Sequence, residues 1–178
     1  MEISSPRSAL SDRLIDAALD LLDSGAEFSL RSVARAAGVS AMAPYRHFVD
    51  KEALLAAVAG RGFDDLRAAL LAADAVDDPR AALMGQGMAY VRFALARPAL
   101  FRLMFAGPGS GPPPGGDSAF GVLARRMRDV LPEAAEIGAV TCWATVHGLA
   151  TLALDGRLGP EPEVPATAAL GLMVAGFG

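Results

Sequence analysis

A chain of 178 residues is one compact domain or two small ones, long enough to bury about 70% of the surface its unfolded form exposes. It is 53% hydrophobic, with a mean hydropathy of +0.36, but only 6% aromatic, so Ala, Leu and Val supply most of the apolar mass and favour close-packed helices over a sandwich. The single Cys142 excludes an internal disulfide framework, and the net charge of −4 argues against nucleic-acid binding only if charge is spread evenly.

The opening MEISSPRSALSDR carries no apolar signal core, so the expected location is cytoplasmic. From Arg13 to Asp23, Leu14, Ile15, Ala18, Leu21 and Leu22 fall at helical spacing opposite Asp12, Asp16, Asp20 and Asp23. Ser11 is the expected cap and Gly25 the stop. A second short helix is predicted from its cap at Ser29 to Ala37, ended by Gly38. A third is predicted from about Ala41, capped by Ser40; Pro44 is tolerable there because the first amides of a helix lack intrahelical partners. A fourth starts at Asp50 and buries Leu54, Leu55, Val58, Leu66 and Leu70.

After Asp78, helices are predicted over Pro79–Ala96, Ala99–Ala106, Ser118–Leu131, Pro132–Asp155 and Val164–Gly178. The Gly/Pro-rich run Gly107–Asp117 reads as a mobile connector. Ile137 to Leu154 carries no formal charge over 18 residues, the lower edge of a membrane span. Its three threonines, His147 and two glycines, with no flanking basic cluster, read instead as a buried or interface helix, and no membrane partner is expected. No stretch alternates with strand periodicity. The expected class is all-α.

Two short helices joined at Gly38-Val39-Ser40 meet the packing demand of a helix-turn-helix, whose second helix enters the DNA major groove. Between Phe28 and Phe48 three arginines occur with no acid, so the positive charge is local. Ala41 and Met42, with Pro44 at the protein–DNA surface, would read bases through apolar contact. Tyr45, His47 and Lys51 offer donors for phosphates, and Arg31 suits a base or phosphate contact. Arg35 and Arg46 read as solvated or near phosphates, and Phe48 as core.

Leu14 to Val58, LIDAALDLLDSGAEFSLRSVARAAGVSAMAPYRHFVDKEALLAAV, resembles the N-terminal DNA-binding domain of the TetR family of repressors. The resemblance is carried by AA and LL in helix one, S-L-R-x-V-A opening helix two, A-G-V-S, and Y-R-H-F-x-x-K-E-x-L. RPALFRLMF at Arg97–Phe105 and CWATVHGLATLALDGRL at Cys142–Leu158 look like one subgroup of the family's C-terminal domains, marked by Trp and then His-Gly. The resemblance implies a homodimer with a four-helix interface from the last two long helices, a ligand pocket in each C-terminal domain, and a double-stranded operator as partner. Carried over residue by residue, its DNA contacts fall on Arg31, Ser40, Ala41, Met42, Tyr45, His47 and Lys51. Pro44 departs from the family pattern, where an apolar residue such as Leu is usual.

The expected organisation is a three-helix helix-turn-helix domain at 8–54 and a helical ligand-binding and dimerisation domain at 55–178. Gly138, Ala139, Ala144, Gly148 and Ala150 would allow close approach at the dimer interface. The pocket is expected around Met88, Phe93, Phe101, Met104, Trp143, His147 and Thr151, an apolar set with few polar groups that fits a small, largely apolar effector. No His/Cys metal spacing, Gly-x-Ser-x-Gly elbow or phosphate loop is present, so neither a cofactor nor catalysis is expected. The competing expectation is a helical small-molecule-binding protein that no longer binds DNA.

Overall fold

The computed structural model describes residues 6–106 and 117–177. Most of the connector expected at Gly107–Asp117 and the last residue of the expected final helix lie outside the described residues. Among the described residues there are eight α-helices, two single 3-10 turns and no strand: α1 (Pro6–Asp23), α2 (Leu30–Ala36), α3 (Lys51–Ala73), α4 (Pro79–Ala96), α5 (Pro98–Met104), α6 (Ala119–Val130), α7 (Ala135–Leu154) and α8 (Glu163–Ala175). The all-α expectation holds. The chain divides into two compact units, one from residues 1–62 with 99–108 and one from 63–98 with 109–178.

In the first unit, α1 starts five residues before Ser11, which therefore sits inside the helix rather than capping it. Leu14, Ala18, Val33, Leu54, Val58, Leu100 and Met104 are completely or almost completely buried. Gly62 has no room for a side chain: a Cβ there would stand 2.7 Å from Met104 Sδ and 3.0 Å from Leu100 Cδ1. Asp50 caps α3 as expected, accepting from the Ala53 amide at 2.7 Å.

In the second unit, α4 is the central helix and packs against α6, α7 and α8. It begins and ends where the sequence places it, because Asp78 accepts from the amides of Arg80 and Ala81, each at 2.8 Å, with Pro79 at the first helical position. Leu83, Leu123, Met127, Ala139, Cys142 and Val174 form a core cluster. Pro132 sets a separate 3-10 turn (Pro132–Ala134), so α7 starts three residues later than expected.

The small residues of α7 divide between two faces. Gly138 admits α6 closely, since a Cβ would meet Met127 Sδ at 2.9 Å, and Ala139 and Ala150 are fully buried in the unit's own core. Of the small residues expected at an interface, Ala144 is the one that is exposed.

Candidate DNA-facing surface and effector cavity

Helix α2 is held at both ends by its own neighbourhood. The Ser32 amide donates to Ser29 Oγ at 3.1 Å and the Ser29 amide to Ser32 Oγ at 2.8 Å, a reciprocal cap. At the other end Gly38 adopts φ +67°, and the amides of Val39 and Gly38 donate to Ala34 O and Arg35 O at 3.0 and 3.1 Å. These two bonds are a Schellman motif, and the left-handed residue it needs is the glycine. Arg13 Nη2 adds a bond to Ala37 O at 2.8 Å, tying α1 to the same helix end.

The segment after Ser40 corrects the expectation of an α-helix. Pro44 has no amide to give to Ser40 O, the first bond such a helix would make. The Ala43 amide takes that carbonyl instead at 2.9 Å, and Arg46 and His47 donate to Ala43 O and Pro44 O at 3.2 and 2.9 Å. The result is a run of tight turns ending in one 3-10 turn, Pro44–Arg46. Pro44 itself is buried, not on the outer surface. Ser40, Ala41 and Met42 are exposed, as is Tyr45, at 66% for Met42 and 48% for Tyr45. Arg31, Arg35 and Arg46 are also exposed. His47 is half-buried, its ring 6.3 Å from that of the buried Phe48. Exposed Lys51 holds its ammonium 5.5 Å from the centre of the Phe28 ring, a cation–π contact. The seven expected DNA contacts therefore all lie in the first unit, six of them exposed.

The second unit holds a partly open cavity of about 20 Å³ lined by Leu70, Leu83, Gln86, Gly87, Tyr90, Leu123, Cys142, Trp143, Val146 and Met173. Trp143 alone of the seven expected pocket residues lines it. His147 stands behind one wall, with Nδ1 3.0 Å from the Tyr90 hydroxyl. Met88 is buried, its sulfur 3.3 Å from Thr167 Oγ1; Phe93 is half-buried; Thr151 is exposed and donates to His147 O at 2.9 Å. Phe101 and Met104 belong to the first unit, in contact range of α3 at Gly62 for Met104.

Aromatic edges frame the cavity: Tyr90 and Phe120 meet Trp143 edge-on at 5.2 and 5.7 Å between ring centres. Burial pushes the Tyr90 phenol far above its ordinary value and the Cys142 thiol up to about 11, and it lowers the pKa of His147. All three are therefore neutral at pH ~7. Gln86 donates through Nε2 to Asp74 Oδ1 at 2.6 Å, and Arg126 Nε donates to the same oxygen at 2.7 Å. The sequence did carry a signal for Gln86: it is the only amide side chain in the chain, set between Gly85 and Gly87.

Among the described residues one segment, Pro132–Leu154, is long and apolar enough to cross a membrane, with a third of its apolar window buried. Beyond exposed Glu136 in its first turn, the exposed residues of α7, Ile137, Val140, Thr141, Ala144, Thr151 and Leu152, make an uncharged stripe, and Val164, Thr167, Ala168, Leu172 and Ala175 make another on α8. Thr141, Thr151 and Thr167 each donate to the carbonyl four residues back, at 2.8–2.9 Å. Their hydroxyl protons are therefore already satisfied within the helix.

Residues 14–58 match the family described as bacterial regulatory proteins of the tetR family, and residues 83–177 match the tetracyclin repressor-like C-terminal domain. A solved structure of a protein with unknown function from Rhodococcus sp. RHA1 is 34% identical, with 94% of each chain covered and a TM-score of 0.78. A TetR transcriptional regulator from Streptomyces coelicolor is 18% identical over 94% of this chain and 96% of its own, with a TM-score of 0.74. A TetR variant from Acinetobacter baumannii AYE, in complex with minocycline, is 22% identical over 92% and 93%, with a TM-score of 0.67. The last two are likenesses of fold. No curated protein matches the chain significantly.

Proposed function

This chain belongs to the TetR family of transcriptional regulators, and we propose that it is a cytoplasmic homodimeric repressor that binds a palindromic operator and is released by a small, largely apolar effector. It is a ligand-responsive DNA-binding regulator rather than an enzyme. The observation that carries the operator reading is the exposure of Arg31, Arg35 and Arg46 on an acid-free stretch whose capped helix and tight turns present Met42 and Tyr45 outward. Arg31, Ser40, Ala41, Met42, Tyr45, His47 and Lys51 are the DNA-facing set, in a reading domain at 8–54 followed by an effector and dimer domain at 55–178. Because the turn after Ser40 is not a regular helix, base reading rests on Arg31 and on apolar contact from Ala41 and Met42. The remaining donors act on phosphates.

Dimerisation is assigned to the two uncharged stripes on α7 and α8. Leu172 is 79% exposed and Ile137 63%, and an apolar surface of this kind marks an association site. A two-fold arrangement closes it. The internally satisfied threonines let those stripes leave water without stranding a donor. Trp143 with His147-Gly148 supports placing the C-terminal part in the Trp, then His-Gly, subgroup. The effector site is the cavity between α3, α4, α6, α7 and α8, with Trp143 and Tyr90 in its wall and His147 behind Tyr90.

A mobility-shift titration on DNA from upstream of the protein's own gene tests the operator reading. Arg31→Ala is expected to weaken binding by about 1–3 kcal/mol and to relax sequence preference at one position. Unchanged affinity overturns the assigned surface, and absence of any binding favours a ligand-binding protein that has left DNA. Ala144→Glu places a charge in the α7 stripe and is expected to give monomers in sedimentation. A wild-type protein that is monomeric at micromolar concentration contradicts the dimer.

A further inference from the structure

Gln86 is 2% exposed, and its Oε1 is a buried side-chain atom with no hydrogen-bond partner among the described residues. A buried acceptor left unmade costs about 1–3 kcal/mol, so such a group calls for an explanation. The amide cannot relieve itself by turning over. Asp74 is a carboxylate and only accepts, so the Gln86 NH₂ must face it. Arg126 fixes that carboxylate from the other side, with Nη2 donating to the Asp74 backbone carbonyl at 3.0 Å as well as Nε to Oδ1. Gln86 lines the cavity; one N–H of its amide is held by Asp74, and Oε1 is its polar atom without a partner.

Around that acceptor the walls are Leu70, Leu83, Leu123, Val146 and the Trp143 ring. No wall residue is ionised, since burial holds Cys142 as the thiol and Tyr90 as the phenol. A charged ligand would find no partner and would bear the full desolvation cost. We infer that the effector is a small neutral molecule whose apolar body carries an O–H or N–H donor, and that this donor meets Gln86 Oε1. The inference rests on the reading of this cavity as the effector site. At about 20 Å³ the cavity has room for about one water, so a ligand must part the walls. Met173, half-buried on α8, is the adaptable wall residue.

Phenol, toluene and anisole test it: one ring with a donor, with none, and with an acceptor only. Binding to the full-length protein is read by titration calorimetry and by Trp143 emission, Trp143 being the only tryptophan. Phenol is expected to bind about tenfold tighter than either of the others, the ratio that one satisfied buried acceptor supports. Gln86→Met is expected to level the three, with toluene unchanged or tighter. Anisole binding as well as phenol, or a phenol preference that survives in Gln86→Met, overturns the inference while leaving the cavity reading intact. Silence of both heat and Trp143 emission for all three up to their solubility overturns the cavity reading and the inference with it. Should Gln86→Met fail to fold by circular dichroism, the ranking in the wild-type protein decides alone.

Discussion

Hydrogen bonds in the stretch from Ser29 to Phe48 join residues three to five apart, apart from the Arg13 bond to the end of α2. Those around the cavity join residues 12, 52 and 57 apart. A surface held locally can be altered one side chain at a time, because each bond lost frees only its own turn. A cavity held across the chain behaves otherwise, since every member is packed or bonded against partners from another helix. Changes to the DNA-facing stretch should thus alter recognition more than stability, and changes around the cavity the reverse.

The largest break in that contrast comes from Tyr90, which is 1% exposed and edge-packed against Trp143. Tyr90→Ala is expected to cost about 3–5 kcal/mol in urea unfolding. A loss below 1 kcal/mol would mean that the aromatic frame does not hold the unit together. Gly38→Ala is expected to cost about 1–2 kcal/mol, the penalty of a left-handed non-glycine residue, with a loss of operator binding that exceeds the loss of stability. Equal losses would mean that the turn serves folding alone.

The smallest effect is a pH dependence. Burial lowers the pKa of His147, so the folded protein holds its neutral form. The unfolded chain takes up a proton below about pH 6.5, and the folded state then loses stability as pH falls further, until the folded His147 also titrates. Unfolding midpoints should therefore fall more between pH ~7.5 and ~5 in the wild-type protein than in His147→Gln. Identical falls would place the sensitivity elsewhere.

The same contrast governs what the sequence discloses. Caps and stops act over a few residues, so Ser29, Gly38 and Asp50 are legible one by one, and α4 is placed to the residue. The segment after Ser40 misleads because Pro44 permits a helix start in principle but removes the very bond that would have begun this one. The cavity is legible only at Trp143. Tyr90 reads as one more apolar position on α4, and nothing in the spacing of Asp74, Gln86 and Arg126 reveals that the turn after α3 and two helices bring them together. Phe101 and Met104 mislead in the opposite sense: their apolar spacing suits a pocket, but their burial belongs to the other unit.

Hydroxyl-radical footprinting of the protein on its own upstream DNA tests the central claim most directly. A two-fold dimer reading DNA through its exposed arginines should protect two symmetric half-sites with centres about one helical turn, ~34–36 Å, or a multiple of it apart. Protection should fade as salt rises, because phosphate contacts release counterions. A single protected patch, or uniform protection with no sequence preference, would contradict the account.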